Sequence, residues 1–149
     1  MKTIITLTIG AALLFAACGN DDGGGSDEPG DFASDVIEQL SNGQFGRAWE
    51  TMHPAQQEFV DRDFYVECAQ GSAPAMELVD VETVEVYEEE ATIPGTDTTA
   101  NATAVTYRAE VTSGGDTQSF TDTTRLFEVE GDWRWAWAGA DAARDGQCP

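Results

Sequence analysis

The chain has a single histidine, His53, in Met52-His53-Pro54-Ala55. Acid–base chemistry near neutral pH would start from it, or from an aspartate whose pKa is raised by burial. Its place before Pro54 suits a helix boundary, where a lone histidine serves structure more often than catalysis. Asp61 and Asp63 flank Arg62. That grouping makes a helix cap and a surface ion pair more readily than an acid–base couple. No Ser–His–Asp order with a nucleophile elbow is present. Cys68 and Cys148 with one histidine are too few ligands for zinc, so neither metal nor cofactor is expected.

The aromatic pattern says more. Trp133, Trp135 and Trp137 alternate with period two, as side chains on one face of a strand do. With Trp49 and Tyr65 from helical segments, and with Tyr107, they are candidates for the wall of an apolar ligand pocket. The same side chains are also ordinary filling between helix and sheet, and both readings stay open. Arg125 and Arg134, rare cations in an acidic chain, are placed to pair with glutamates on neighbouring strands.

These residues need elements to position them. Phe32, Val36, Ile37 and Leu40 fall at helical spacing after a cap at Asp31 or Ser34, and Asn42-Gly43 ends that helix. Phe45, Ala48, Trp49 and Met52 predict a second helix. Pro54 opens a short third carrying Phe59, and Asp61 opens a fourth with Phe64, Tyr65 and Cys68. Beyond Gly71 the period changes to two. Val79 and Val81 share one parity and Val84 and Val86 the other, which predicts a β-bulge near Glu82-Thr83. Thr103, Val105, Tyr107, Ala109 and Val111 form an inner face. Ser113-Gly114-Gly115-Asp116 makes a hairpin. Phe120 to Val129 is a strand, and Gly131-Asp132 turns it into Trp133–Trp137. Short helices followed by long antiparallel strands predict an α+β domain.

The N-terminus carries an address. Lys2 precedes an apolar run from Thr3 to Ala17, 15 residues, short of the roughly 18–20 that a permanent span needs. Leu14-Phe15-Ala16-Ala17-Cys18-Gly19 resembles the lipobox of bacterial lipoprotein precursors, with Phe15 where leucine is commoner. The resemblance implies cleavage after residue 17, lipid on Cys18, and attachment to the outer face of the cell membrane. Two acyl chains anchor stably where one binds reversibly. An ordinary secretory signal containing a cysteine is the alternative. Residues 18–30 read as a Gly/Asp tether with nothing to bury. Its acidic run mimics a calcium loop but lacks the later glutamate. Residues 31–149 then form a single domain.

Charge narrows the partners. Lys2 is the only lysine, so the processed chain keeps six arginines against 28 acidic residues, a side-chain balance of −22. Such a surface excludes nucleic acid as a partner and disfavours lying flat on anionic lipid. It fits either a high-salt source or a merely acidic exported protein. An exported chain with two remaining cysteines predicts a Cys68–Cys148 disulfide.

Taken together, Asn42-Gly43-Gln44-Phe45-Gly46-Arg47-Ala48-Trp49 and the hairpin Phe127-Glu128-Val129-Glu130-Gly131-Asp132-Trp133 resemble the nuclear-transport-factor-2-like superfamily, as carried by small actinobacterial lipoproteins. The resemblance covers about residues 31–138. It implies a curved, mostly antiparallel four-stranded sheet wrapped as a cone around helices, with a pocket. It implies either a non-catalytic domain binding a small apolar ligand or an envelope protein, or an isomerase or dehydratase using His53 or an aspartate as base.

Overall fold

The computed structural model describes residues 28–149. The signal-like segment, Cys18 and most of the tether, with its calcium-like run, lie outside these residues. The described part is α+β: short helices and a four-stranded antiparallel sheet.

Helix α1 spans Pro29–Ser41 and α2 Phe45–Glu50. Glu28, not Asp31 or Ser34, is the N-cap of α1, so the helix begins inside the stretch read as tether. Proline explains the earlier start, because its fixed φ suits the first helical position and its missing N–H would have no partner there. Asp31 sits in the first turn, near the positive end of the helix dipole. Phe32, Ala33 and Val36 are buried, while Ile37 and Leu40 are half-buried. Gly43, at φ 71°, follows the C-cap Asn42.

Helix α3, Pro54–Gln57, ends before Phe59. Helix α4, Arg62–Ser72, is capped as expected: the Phe64 N–H donates to Asp61 Oδ1 at 2.8 Å. It buries Tyr65 and Cys68.

Strands β1 (Glu77–Thr92), β2 (Thr99–Ser113), β3 (Asp116–Val129) and β4 (Asp132–Trp135) pair in chain order. Gly114 and Gly115, both at positive φ, turn the β2–β3 hairpin. The last hairpin turns on Glu130-Gly131 rather than Gly131-Asp132, since Val129 pairs with Asp132 and Glu130 takes φ 57°. Strand β1 shifts register twice, skipping Val79 and Val84. One bulge was expected near Glu82-Thr83. Each skipped valine is an unpaired extra residue, and both are exposed.

The inner face carries Val105, Ala109 and Val111 on β2 and Leu126 on β3, all buried. Val105, Leu126 and Trp135 join Phe32, Ala33, Val36 and Tyr65 in the main core. A smaller cluster on the other face joins Ala91, Ile93, Ala102 and Phe127. Apart from the Tyr87–Ala104 pair, the rest of that face is mostly polar. Arg108 pairs with Glu82 at 2.5 Å, and Arg125 reaches across β2 to Glu89 at 2.6 Å. Arg134 pairs instead with Asp132 on its own strand, at 3.6 Å.

Both sheet edges are managed. Strand β1 carries Glu77, Asp80, Glu82, Glu85, Glu88, Glu89 and Glu90 besides its two bulges, which discourages edge pairing. The edge of β4 is covered by chain: His53 N–H donates to the Trp135 carbonyl at 2.8 Å, and Trp135 N–H to the Thr51 carbonyl at 3.3 Å. Past β4, α5 (Ala140–Arg144) buries Ala140 and Ala143. The tail then returns to α4 through the Cys68–Cys148 disulfide, with a Cα–Cα distance of 5.2 Å.

Candidate ligand cavity

Where α1 ends, helix and sheet leave space. Ile37 and Leu40 continue the apolar stripe of α1 but are only half-buried, and they line a cavity of about 440 Å³. Tyr65 and Ala69 of α4 form a second wall. Leu78, Ala109, Val111 and Phe120 come from the sheet, and Trp135 and Trp137 close the side. Met76 and Phe120, 40% and 43% exposed, stand at the rim. No charged side chain belongs to the lining.

Tyr65 is the buried centre of this wall, 1% exposed. Its ring meets Trp137 edge-on at 5.0 Å and Trp135 at 6.2 Å. Burial pushes its phenol well above the usual tyrosine range, so it stays protonated at neutral pH. Trp135 is held rigidly, because its Nε1–H donates to the Ala48 carbonyl at 2.6 Å while its backbone bonds both Thr51 and His53.

Trp137 lies beyond the end of β4, so the three tryptophans do not share one strand face. A residue that sequence reasoning missed positions it. Gln56 is fully buried; its Nε2 donates to the carbonyls of Pro94 and Trp137, both at 3.0 Å, and its Oε1 accepts from Trp137 N–H at 2.8 Å. A glutamine two residues into a short polar helix carries no local signal of this role.

The other candidates do not line this cavity. Trp49 is half-buried among the helices, with Nε1–H donating to the Val60 carbonyl at 2.9 Å. Trp133 lines a separate polar groove with Glu88, Glu90, Thr103 and Glu128. Tyr107 lines a smaller hollow of about 290 Å³ between α1 and β3, which also takes in Asp122 and shares Ile37, Leu40, Trp135 and Trp137 with the cavity; its ring meets Phe120 at 6.5 Å. Its phenol is pushed up to about 12, by burial first and then by Asp122.

His53 is the N-cap of α3. Its Nδ1 accepts from Ala55 N–H at 3.1 Å, and its ring stands edge-on to Phe127 at 5.3 Å. Burial, then the Arg134 guanidinium, lowers its pKa. A neutral imidazole whose Nδ1 accepts a backbone N–H is well placed to cap and poorly placed to pair with an acid. It does not line the cavity. Asp61 and Asp63 are exposed, and Arg62 lays its guanidinium over Gly46. Among the described residues no group of three His, Cys, Asp or Glu side chains is arranged to hold a metal ion. No helix among them is long and apolar enough to cross a membrane.

No family model matches the chain, and no curated protein matches it significantly.

Proposed function

We propose that this chain is a lipid-anchored extracytoplasmic domain with the cone-shaped architecture of the nuclear-transport-factor-2-like superfamily, holding a small apolar ligand between α1, α4 and the sheet. The observation that carries the ligand reading is the cavity: about 440 Å³, without a charged side chain in its lining, walled by two indoles and a phenol. Small-molecule sites span roughly 300–1,000 Å³ and are mostly apolar. Core filling accounts for Trp135, which is 5% exposed, but not for the space beside it.

Binding is preferred over turnover because His53, the strongest acid–base candidate, is engaged as a helix cap outside the cavity. The cone reading is supported by the helices-first order, the four-strand meander and the packing of α1 against all four strands. The anchor reading rests on Leu14 to Gly19, and the disulfide suits an oxidising compartment outside the cytoplasm.

N-phenyl-1-naphthylamine, an uncharged apolar fluorophore, tests the cavity. Its emission should rise and saturate on titration with the protein. Ala69→Phe fills the cavity from a half-buried position on α4 and should abolish the saturable rise while the melting curve is kept. Saturation that survives Ala69→Phe would move the site elsewhere. For the anchor, Cys18→Ser should release the protein from the membrane or leave it unprocessed; full partition of the mutant into detergent would contradict lipidation.

A further inference from the structure

We infer that the ligand of this cavity is an amphipathic cation, an apolar body carrying a protonated amine or quaternary ammonium head. The inference rests on the reading of the cavity as a ligand site and adds the charge of what it takes. Two helices end at its mouth. Leu40, Ser41 and Gly43 bring the C-terminal end of α1, and Ala69, Gln70, Ser72 and Ala73 that of α4. A helix C-terminus carries about half a negative charge, which a lysine, arginine or histidine in the last turn commonly offsets. Neither last turn holds a basic residue.

The end of α4 is the barer of the two. Asn42, Gly43 and Gln44 donate their N–H groups back to carbonyls of α1. Ala73 closes α4 in an extended conformation, and among the described residues no backbone N–H from beyond it returns to that helix, though the Ser72 hydroxyl donates to the Cys68 carbonyl at 2.9 Å. The opening therefore meets the stronger negative potential from the end of α4 and a weaker one from the end of α1, whose Glu38, Gln39 and Leu40 carbonyls are already bonded. The lining offers no arginine to an anionic head, and the arginines of the outer sheet face are committed to Glu82 and Glu89. A protein with 28 acidic side chains also repels anions at long range. A cation at the mouth meets the two helix ends, while its apolar body lies against Leu40, Tyr65, Val111 and Trp137.

Three probes with one tail length separate the possibilities: decyltrimethylammonium, 1-decanol and decanoate, each below its aggregation threshold. They are titrated calorimetrically, in dilute buffer, into the exported full chain carrying Cys18→Ser, so that no acyl chain competes. The two helix ends together favour the cation over the alcohol by roughly 3- to 30-fold, with decanoate weakest. Gln70→Lys and Ser41→Lys each place a cation at an exposed position in one of the two last turns. Each should erase most of the preference, read as the ratio of the cation and decanol affinities of the same variant. Asp97→Asn makes the same one-unit change in the β1–β2 hairpin, at the opposite end of the sheet from Leu78 and Val111. It should leave the preference within about twofold of the parent.

Decanoate binding as tightly as the cation would overturn the inference and leave the cavity reading standing. Equal effects of Gln70→Lys, Ser41→Lys and Asp97→Asn would assign the preference to overall charge, which also overturns it. Binding of none of the three probes would remove the cavity reading and this inference together.

Discussion

Replacing Gln56 by leucine keeps much of the side-chain volume and removes its amide. In the native fold that amide satisfies three backbone groups at 2.8–3.0 Å: the Pro94 carbonyl, the Trp137 carbonyl and the Trp137 N–H. Each buried polar group left without a partner costs about 1–3 kcal/mol. Pro94 and Trp137 are half-buried, so water recovers part of that, and leucine gains about 1.5–3 kcal/mol from burial. The net loss is about 2–4 kcal/mol. For a domain of this size each kcal/mol moves Tm by roughly 4 °C, so Gln56→Leu should melt about 8–16 °C below the parent. Gln57→Leu is the comparator. It loses one bond, from Nε2 to the Trp49 carbonyl at 2.7 Å, and should cost about 1 kcal/mol. Thermal melts followed by circular dichroism read both variants. Because Gln56 also fixes Trp137 on the cavity wall, N-phenyl-1-naphthylamine affinity should fall with Gln56→Leu and hold with Gln57→Leu. A Gln56→Leu protein melting within about 3 °C of the parent would refute the assignment of Gln56 as the clamp between α3, the β1–β2 loop and the segment after β4.

Trp135→Ala removes a ring from the core and an Nε1–H bond to Ala48, and should cost roughly 3–5 kcal/mol in a urea titration. An unchanged urea midpoint would show that the ring does not support the core. Stability should also depend on His53 between its lowered folded pKa and the unfolded value near 6.5. The unfolded chain binds the proton first as pH falls, so the contribution is complete above about 6.5 and is lost as pH drops through the folded value. His53→Asn keeps a capping side chain without a titrating ring; the urea midpoint of the parent should fall relative to that of His53→Asn from pH 7.5 to pH 5.5, and parallel curves would argue against a depressed pKa. Glu130 stands in the left-handed region at φ 57°, so Glu130→Asn should stabilise the last hairpin by about 0.5–1 kcal/mol. A lower Tm for that variant would mean that the glutamate side chain does more there than turn the chain.

The elements were legible in the sequence because their causes are local. The spacing of Phe32, Val36 and Leu40, the Asp61 cap, the glycine pair at residues 114 and 115 and the parity of Val105, Ala109 and Val111 act within a few residues of chain, and each appears where its pattern placed it. The Cys68–Cys148 pairing was also readable, because the expectation of an exported chain with Cys18 taken by lipid left these two thiols to each other. Patterns of this kind identify an apolar face without identifying what packs on it. Trp133, Trp135 and Trp137 have one parity in sequence. All three lie in or against the main core, but Trp137 leaves the strand because β4 stops at Trp135 and Gln56 captures its backbone. Trp133, two residues before Trp135, is half-buried against that core and also borders a groove among glutamates. The two bulges of β1 depend on pairing with β2, and the start of α1 on proline geometry that outweighed two better capping residues. The cavity itself has no sequence signature. It is the volume left where the last turns of α1 and α4 meet a sheet whose side chains do not fill it, and only the placement of all three in space decides that.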